Sequence, residues 1–297
     1  MMNILMCIND GYVHPLLGLM HSVRKYNKDE ITLYVLSTQL SDDNKTLIKQ
    51  KLGEESIDVI INVVDCKESP LANFQHYTYD MFLRVFAFDL LPKEIDRILY
   101  LDADMLVLKD IAPIYNTDLD DKFLGAVRDF GVKFKKVAQY VKWLDVPHLY
   151  FNSGMLIMNL ALMRSKWNRQ EIEAFITTKA IYFSCPDQDA LNLLCKEGDV
   201  LQLPDEYNYQ VKSNEKLDND EAVVLHYVGY NKPWNHYVLG KHEKLFWSNY
   251  KELNIDAFYK LKCKNRRKRI KVLYHKIINR VKKLFKRNKN LSSSESK

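Results

Sequence analysis

Short, largely apolar runs are the clearest feature of the first third of the chain. They do not alternate regularly with polar positions, which is typical of strands buried on both faces of a sheet. The runs span residues 3–8, 31–37, 57–64 and 97–101. They predict four strands of one sheet.

Between these runs, apolar residues recur at steps of three and four, the spacing along one face of an α-helix. This spacing predicts helices over residues 14–26, 41–52 and 79–91. Ser41 is a suitable N-cap for the second helix, and Pro92 closes the third. Strands that alternate with helices of about 10–15 residues are typical of βαβ units, so we expect an α/β fold with a mostly parallel sheet.

The second half of the chain has a less regular pattern. It predicts strands over residues 123–127, 154–159 and 222–226, and helices over residues 161–178 and 188–196. In open α/β sheets, ligands bind beyond the carboxyl ends of the strands. Polar residues that directly follow a predicted strand are therefore the first candidates for chemistry.

Composition favours a cytosolic globular protein. The 297 residues are 47% apolar and 28% charged, which is ordinary for a soluble domain. No apolar stretch approaches the roughly 20 residues of a membrane span, and the first residues lack the features of a signal peptide. The five cysteines are scattered and form no CxxC pair, which fits a reducing compartment.

Charge divides the chain into two parts. Residues 262–297 carry a net charge of +14, whereas residues 1–261 carry −8. Apolar residues at helical spacing between 269 and 287 predict a basic amphipathic helix that docks on an anionic membrane surface. The alternatives are packing on the domain of residues 1–261 and binding of nucleic acid. The continuous apolar stripe favours the membrane, so we expect no nucleic-acid partner.

Two carboxylates follow the strand predicted at residues 97–101. Asp102 and Asp104 flank Ala103, and residues two positions apart in an extended backbone point to the same side. Paired carboxylates bind Mg²⁺ or Mn²⁺ and leave positions open for phosphate oxygens. A solvated turn after a strand would give the same pattern.

A histidine ends the last predicted strand. Gly229 and Lys232 lie a few residues beyond His226. Glycine permits close approach of a ligand to the backbone, and lysine offers a positive charge to phosphate. An imidazole beside two carboxylates would shift the preferred ion from Mg²⁺ to Mn²⁺. A buried structural histidine is the alternative.

Two polar segments interrupt the apolar pattern of the second half. Asn152, Ser153 and Gly154 form a predicted turn. A buried asparagine amide needs hydrogen-bond partners, and sugar hydroxyls are suitable, although a structural turn would also satisfy it. Asp187 and Asp189 lie at the start of a predicted helix, where Asp187 is the natural N-cap.

In this order and at these separations, the four motifs resemble those of family 8 retaining glycosyltransferases, in particular bacterial lipopolysaccharide and lipooligosaccharide galactosyl- and glucosyltransferases. The resemblance covers roughly residues 1–250. It implies a GT-A fold, which we assign to residues 1–261, and the charge pattern described above makes residues 262–297 a membrane-associating tail. It also implies Mn²⁺, with Mg²⁺ as the alternative, a UDP-galactose or UDP-glucose donor, and a glycan or glycolipid acceptor.

The resemblance assigns roles to individual residues. Asp102, Asp104 and His226 correspond to the metal ligands, and Gly229 and Lys232 to residues that bind the diphosphate. The other donor-site positions that it implies are Asn9, Asp10, Tyr12, Arg84, Ala103, Asp129, Asn152, Ser153, Asp187 and Gln188.

Asn9 and Asp10 fall where the family holds uracil and ribose, with Tyr12 close by in the sequence. The chain departs from the family pattern at Gly11, where relatives often have Asp or Asn, and at Val228, where relatives can have a small polar residue. The first departure removes one uridine contact or leaves it to the backbone.

The resemblance places Gln188 on the far face of the donor sugar. A neutral amide is a weak nucleophile, but its carbonyl can stabilise a cationic sugar. We therefore favour front-face transfer, in which the leaving phosphate takes the acceptor's proton. Asp187 and Arg84 would hold sugar hydroxyls, Asn152 completes the predicted catalytic set, and Asp189 is the alternative nucleophile.

Two other functions fit parts of the pattern. A nucleotidyltransferase also uses paired aspartates in an α/β sheet, but it predicts a basic phosphate-binding segment near the N-terminus, and residues 9–12 are not one. A non-catalytic membrane or nucleic-acid adaptor would need only the tail. We favour the transferase, located in the cytoplasm and peripheral to the inner face of the cytoplasmic membrane.

Overall fold

The computed structural model describes seven stretches of the chain. These are residues 1–72, 78–146, 149–179, 182–211, 221–229, 232–234 and 241–253. The chain divides into two compact units, Met1–Tyr227 and Val228–Lys297, which are described separately below. The predicted tail at residues 262–297 lies outside the described residues.

The four strands predicted in the first third of the chain are β1 (Met2–Cys7), β2 (Ile31–Ser37), β3 (Ile57–Val63) and β4 (Arg97–Leu101). They form one parallel half of the main sheet, in the order β3-β2-β1-β4. The expected burial on both faces is wrong for β3, because β3 is the edge strand and only its first residue is buried. Helices α1 (Val13–Tyr26) and α2 (Asp42–Gly53) lie within one residue of their predicted bounds.

The other half of the main sheet is mixed. Strand β7 (Phe151–Asn159) runs antiparallel to β4 on one side and to β6 (Leu124–Arg128) on the other, and β8 (Val200–Gln202) pairs in parallel with β6. The turn predicted at residues 152–154 is wrong. A shift of register in β6 lets β7 continue back to Phe151, so these three residues lie in a buried strand.

A small second sheet brings distant parts of the chain together. It consists of β5 (Met105–Val107), β9 (Tyr209–Gln210) and β10 (Val224–His226), with β10 in the centre. The antiparallel pairing of β10 with β5 places His226 opposite Met105. The register of this sheet therefore determines which residue lies beside the carboxylates that follow β4.

The single helix predicted over residues 79–91 is wrong. The chain instead forms a short 3-10 turn at Tyr79–Phe82 and one turn of helix, α3 (Ala87–Leu90). Residues 82–88 are apolar except for Arg84, and all of them are buried. In a segment that is buried on every side, apolar spacing does not distinguish a helix from a sequence of turns.

The single helix predicted over residues 161–178 is two helices, α6 (Leu160–Lys166) and α7 (Arg169–Lys179). Trp167 has an extended backbone, and its ring packs against two phenylalanines at 5.8 and 5.3 Å. The side chain of Asn168 accepts a hydrogen bond from the N–H of Glu171, which starts the second helix. Aromatic packing and a new N-cap thus divide the predicted helix into two.

Three further helices complete the described part of the first unit. They are α4 (Ala112–Tyr115), α5 (Lys135–Leu144) and α8 (Pro186–Leu194). In the second unit, the ring of Phe246 on α9 (Lys241–Glu252) lies 5.4 Å from the ring of Trp234 and 4.4 Å from that of Tyr250. Within the described residues, no helix is both long and apolar enough to cross a bilayer.

Candidate active site

The carboxylates after β4 and the histidine that ends β10 converge. Ligand atoms of Asp102, Asp104 and His226 all lie within 4.8 Å of one another. The Nε2 atom of His226 is 3.3 Å from an oxygen of Asp104 and 3.7 Å from an oxygen of Asp102. The backbone N–H of Tyr227 donates to the carbonyl of Asp104 at 2.9 Å, which holds the two segments side by side. The three predicted metal ligands thus form one cluster.

Asn208 fixes the tautomer of His226. The Nδ2 group of Asn208 donates to the side-chain oxygen of Asn152 at 2.9 Å, so the other atom, Oδ1, faces Nδ1 of His226 as an acceptor at 2.9 Å. In a neutral ring Nδ1 therefore carries the hydrogen, and the lone pair remains on Nε2, which faces the carboxylates. Asn208 is fully buried, and no sequence signal points to it.

Gly154 leaves the space that the histidine ring occupies. A Cβ atom at this position would lie 2.3 Å from Cε1 of His226 and 2.8 Å from Oδ2 of Asp102. Both distances are too short for any side chain. The carbonyl of Gly154 also accepts a hydrogen bond from the N–H of Asp102 at 2.8 Å. Strand β7 therefore passes directly beside the cluster and needs glycine at this point.

Arg84 joins the metal-ligand cluster to helix α8. Its guanidinium lies 2.9 Å from a carboxylate oxygen of Asp102 and 3.3 Å from one of Asp187, and it packs over the ring of Tyr100. Burial raises the pKa of Asp102, and the positive charge of Arg84 opposes that shift. The predicted contact of Arg84 with sugar hydroxyls would require this buried cation to bind the sugar while it keeps its ion pairs with Asp102 and Asp187.

Asn152, Gln188 and Asp129 form a closed network beside the cluster. The Nδ2 group of Asn152 donates to the side-chain carbonyl (Oε1) of Gln188 at 3.1 Å and to the carboxylate of Asp129 at 3.3 Å. The amide of Gln188 donates to Asp129 at 2.9 Å, and its carbonyl also accepts from the N–H of Ser153 at 3.1 Å. The predicted sugar-facing residues are therefore brought together, with both acceptor positions of the Gln188 carbonyl used by the protein itself.

The prediction that Asp187 is an N-cap is wrong. Cys185 occupies the N-cap position of α8, Pro186 follows it, and Asp187 lies within the first turn. One oxygen of Asp187 accepts from the hydroxyl of Ser153 at 3.1 Å and is also the oxygen that faces Arg84. The carboxylate of Asp187 therefore faces the cluster, which favours the functional over the structural interpretation.

Asp189 is fully buried and points to a different set of partners. One oxygen accepts from the Tyr150 hydroxyl, and the other accepts from the Tyr140 hydroxyl at 2.6 Å. The second oxygen also accepts from the backbone N–H groups of Ser184 and Cys185, both at 2.8 Å. Burial raises the pKa of Asp189, and these donors oppose the shift. Four donors on two oxygens favour a structural role, in which the carboxylate of Asp189 orders the start of α8.

The predicted uridine residues follow β1. Asn9 accepts from the N–H of Gly11 at 3.0 Å, and Tyr12 ends a short 3-10 turn at the surface. The carboxylate of Asp10 accepts from the N–H and hydroxyl of Ser41, both at 3.0 Å, and from the side chain of Asn44. Ser41 is at the N-cap of α2, as predicted, but its hydroxyl does not cap the helix because it donates to Asp10.

The remaining predicted donor residues divide between the two units. Ala103 is buried between the two carboxylates of the first unit. Gly229 and Lys232 belong to the second unit. Gly229 has a φ of +80°, a conformation that favours glycine. The predicted contacts of Gly229 and Lys232 with a diphosphate stay predictions.

Known proteins that are similar to this chain are glycosyltransferases. The family model "Glycosyl transferase family 8" matches residues 3–237. Glycosyltransferase GlyF of Streptococcus pneumoniae is 27% identical over 82% of this chain, and a lipopolysaccharide 1,2-glucosyltransferase of Escherichia coli is 31% identical over 56% of it. The matches span only 60% and 52% of those two relatives.

Solved structures share the fold. The galactosyltransferase LgtC, solved in complex with donor and acceptor sugar analogues, superposes with a TM-score of 0.74 at 24% identity. The superposition covers 88% of this chain and 100% of that one. The expected GT-A fold is confirmed.

Proposed function

This chain belongs to glycosyl transferase family 8, and on that premise we propose that it moves a hexose, galactose or glucose, from a UDP-sugar to a hydroxyl group of a glycan or glycolipid acceptor. We further propose that the transfer retains the anomeric configuration. The observation that carries the proposal is the convergence of Asp102, Asp104 and His226 on one point. An adaptor that worked only through a basic tail would have no use for such a cluster.

These three side chains fit a divalent cation. Two carboxylate oxygens and an imidazole nitrogen suit Mn²⁺ better than Mg²⁺. Asn208 keeps the lone pair on Nε2 of His226, and Gly154 leaves room for the ring. Mn²⁺ bound there would act as a Lewis acid toward the leaving diphosphate.

We place the donor sugar against the network of Asp129, Asn152 and Gln188. Hydrogen bonds among these three side chains fix their orientations. Sugar hydroxyls would replace some of these hydrogen bonds. The carbonyl of Gln188 is oriented by donors from β7, so it supplies a fixed dipole to the sugar. The four donors on Asp189 favour front-face transfer over a covalent intermediate on that carboxylate.

We assign the uridine to Asn9, Asp10 and Tyr12 and the diphosphate to Gly229 and Lys232. Strands β1 and β4 are parallel neighbours, so the residues that follow β1 and those that follow β4 leave the sheet at the same edge. This placement supports a uridine site beside Asp102.

We propose that the acceptor is lipid-linked and that the protein works at the inner face of the cytoplasmic membrane. One relative is a lipopolysaccharide 1,2-glucosyltransferase, which supports a glycolipid acceptor. The basic, amphipathic sequence of residues 262–297 supports attachment to an anionic surface.

The test is UDP release from a panel of UDP-sugars, with Mn²⁺ or with EDTA and without acceptor. We expect slow Mn²⁺-dependent hydrolysis of one donor by the wild type and a loss of about 1000-fold in Asp104→Ala, which removes one ligand. Asp121→Ala, at an exposed carboxylate outside the site, is the matched control. Failure of the wild type both to release and to bind UDP would contradict the proposed function.

A further inference from the structure

Large apolar side chains are unusually exposed around α5. Phe134, Trp143, Leu149 and Tyr182 have exposed fractions between 48% and 58%. A tryptophan that remains so exposed loses the free energy that burial would provide, and clusters of exposed apolar groups commonly mark binding sites. The aromatic members of this region that contact one another form a distinct surface.

Tyr140, Trp143 and Tyr182 make up this surface, which we call the aromatic platform. The ring of Trp143 lies 6.2 Å from Tyr140 and 5.3 Å from Tyr182, the second pair at an interplanar angle of 66°. Rings that pack against one another hold fixed orientations, so the platform is already ordered before any ligand binds. Polar side chains at Lys136, Gln139 and Lys142 are also exposed on α5.

The platform and the proposed donor site both contact the start of α8. The hydroxyl of Tyr140 donates to Asp189 at 2.6 Å and accepts from the N–H of Ser184 at 2.9 Å. Asp189 is the next residue after Gln188 in α8, and Gln188 belongs to the network at which we place the donor sugar. The two surfaces thus share the first turn of one helix.

We propose that the aromatic platform is an acceptor subsite that binds a sugar ring of the glycan acceptor by stacking. Aromatic faces carry partial negative charge, which attracts the polarised C–H groups on one face of a pyranose. The indole N–H of Trp143 and the hydroxyl of Tyr182 also offer hydrogen bonds to sugar hydroxyls. The continuity with Asp189 and Gln188 favours a glycan over a membrane surface. This inference rests on the proposed transferase function.

The test is saturation-transfer NMR on the full-length protein with methyl β-galactoside, methyl β-glucoside and lactose as probes. We expect the wild type to bind at least one of them, Trp143→Ala to weaken that binding by roughly tenfold, and Trp143→Phe to retain part of it. Tyr26→Ala removes an aromatic ring of similar exposure on α1 and should leave sugar binding unchanged. Thermal melting of each variant checks that it is folded.

Absence of sugar binding to the wild type, or equal binding to Trp143→Ala, would overturn the subsite. Loss of binding to anionic phospholipid vesicles in Trp143→Ala, with sugar binding intact, would show that the platform docks on a membrane instead. A separate titration with UDP distinguishes the two proposals. UDP binding without sugar binding would leave the transferase proposal standing and reject the platform. Sugar binding that depends on Trp143, without UDP binding, would reject the transferase proposal and leave the platform as a sugar-binding surface with no acceptor role.

Discussion

The metal end and the sugar end of the site are built in different ways. At the metal end, the main-chain pairing of β10 with β5 and the backbone hydrogen bond from Tyr227 to Asp104 place His226 beside Asp102 and Asp104. At the sugar end, Asn152 and Gln188 are held mainly by side chains that bond to one another. Sheet register sets the geometry of the metal end, whereas a network of side-chain amides and carboxylates sets the geometry of the sugar end.

This difference indicates how far each end of the site can rearrange when a ligand binds. Main-chain pairing cannot change without disruption of a sheet, so the metal end is rigid and tolerates little substitution. A side-chain network can exchange one hydrogen-bond partner for another at modest net free energy, about 1 kcal/mol per bond. The sugar end can therefore replace internal bonds by bonds to sugar hydroxyls. The predictions below test this contrast.

The largest effect is expected at Gly154. In Gly154→Ala the new methyl group would overlap the His226 ring and Asp102, so one ligand must move. We expect Mn²⁺-dependent UDP release to fall by about 1000-fold. Gly53→Ala is the control, since no atom lies within 4 Å of its added Cβ. Wild-type Mn²⁺ affinity and turnover in Gly154→Ala would show that the metal end is not rigid.

An intermediate effect is expected at Asn208. Asn208→Ala removes the acceptor that fixes the His226 tautomer, so Mn²⁺ affinity should fall by about 10–100-fold as measured by calorimetry. Asn208→Asp keeps an acceptor for Nδ1 but cannot donate to Asn152, and it should retain more affinity than the alanine variant. An equal loss in both variants would argue against the tautomer mechanism. Asn116→Ala, at an exposed asparagine, serves as the control.

The smallest effect on catalysis is expected at Asp189. In Asp189→Asn the amide would face N–H and O–H donors, so the free energy of unfolding should fall by about 1–3 kcal/mol in denaturant titrations. The turnover number of the folded variant should fall by less than about tenfold, whereas loss of a nucleophile would cost on the order of 10⁴-fold or more. A glycosyl group trapped on Asp189 and detected by mass spectrometry would refute this assignment.

Much of the sheet could be predicted because strand formation leaves a local signal. The apolar runs of β1, β2 and β4 predict those strands nearly to the residue. The two carboxylates that follow β4 and the histidine that ends β10 then indicate the metal ligands. Local patterns failed where tertiary packing decided the conformation. The segment around Arg84 is buried on all sides. Trp167 interrupts the predicted helix because its partly buried ring packs against the core.

Two residues of the metal end could not be predicted from local patterns. Gly154 matters because β7 passes beside a histidine 72 positions further along the chain, and Asn208 matters because its amide lies between Asn152 and His226. Neither contact leaves a spacing in the sequence. The opposite case is Asp187, whose position at a helix start suggested a cap, although its carboxylate turns toward Arg84.

The central claim is that Nε2 of His226 and the carboxylates of Asp102 and Asp104 hold one divalent ion. The most direct test is electron spin echo envelope modulation of the protein loaded with Mn²⁺ and UDP, which detects a coordinated imidazole nitrogen. We expect one such nitrogen in the wild type and in the control His21→Gln, and none in His226→Gln. A nitrogen signal that survives in His226→Gln, or its absence from the wild type, would contradict the claim.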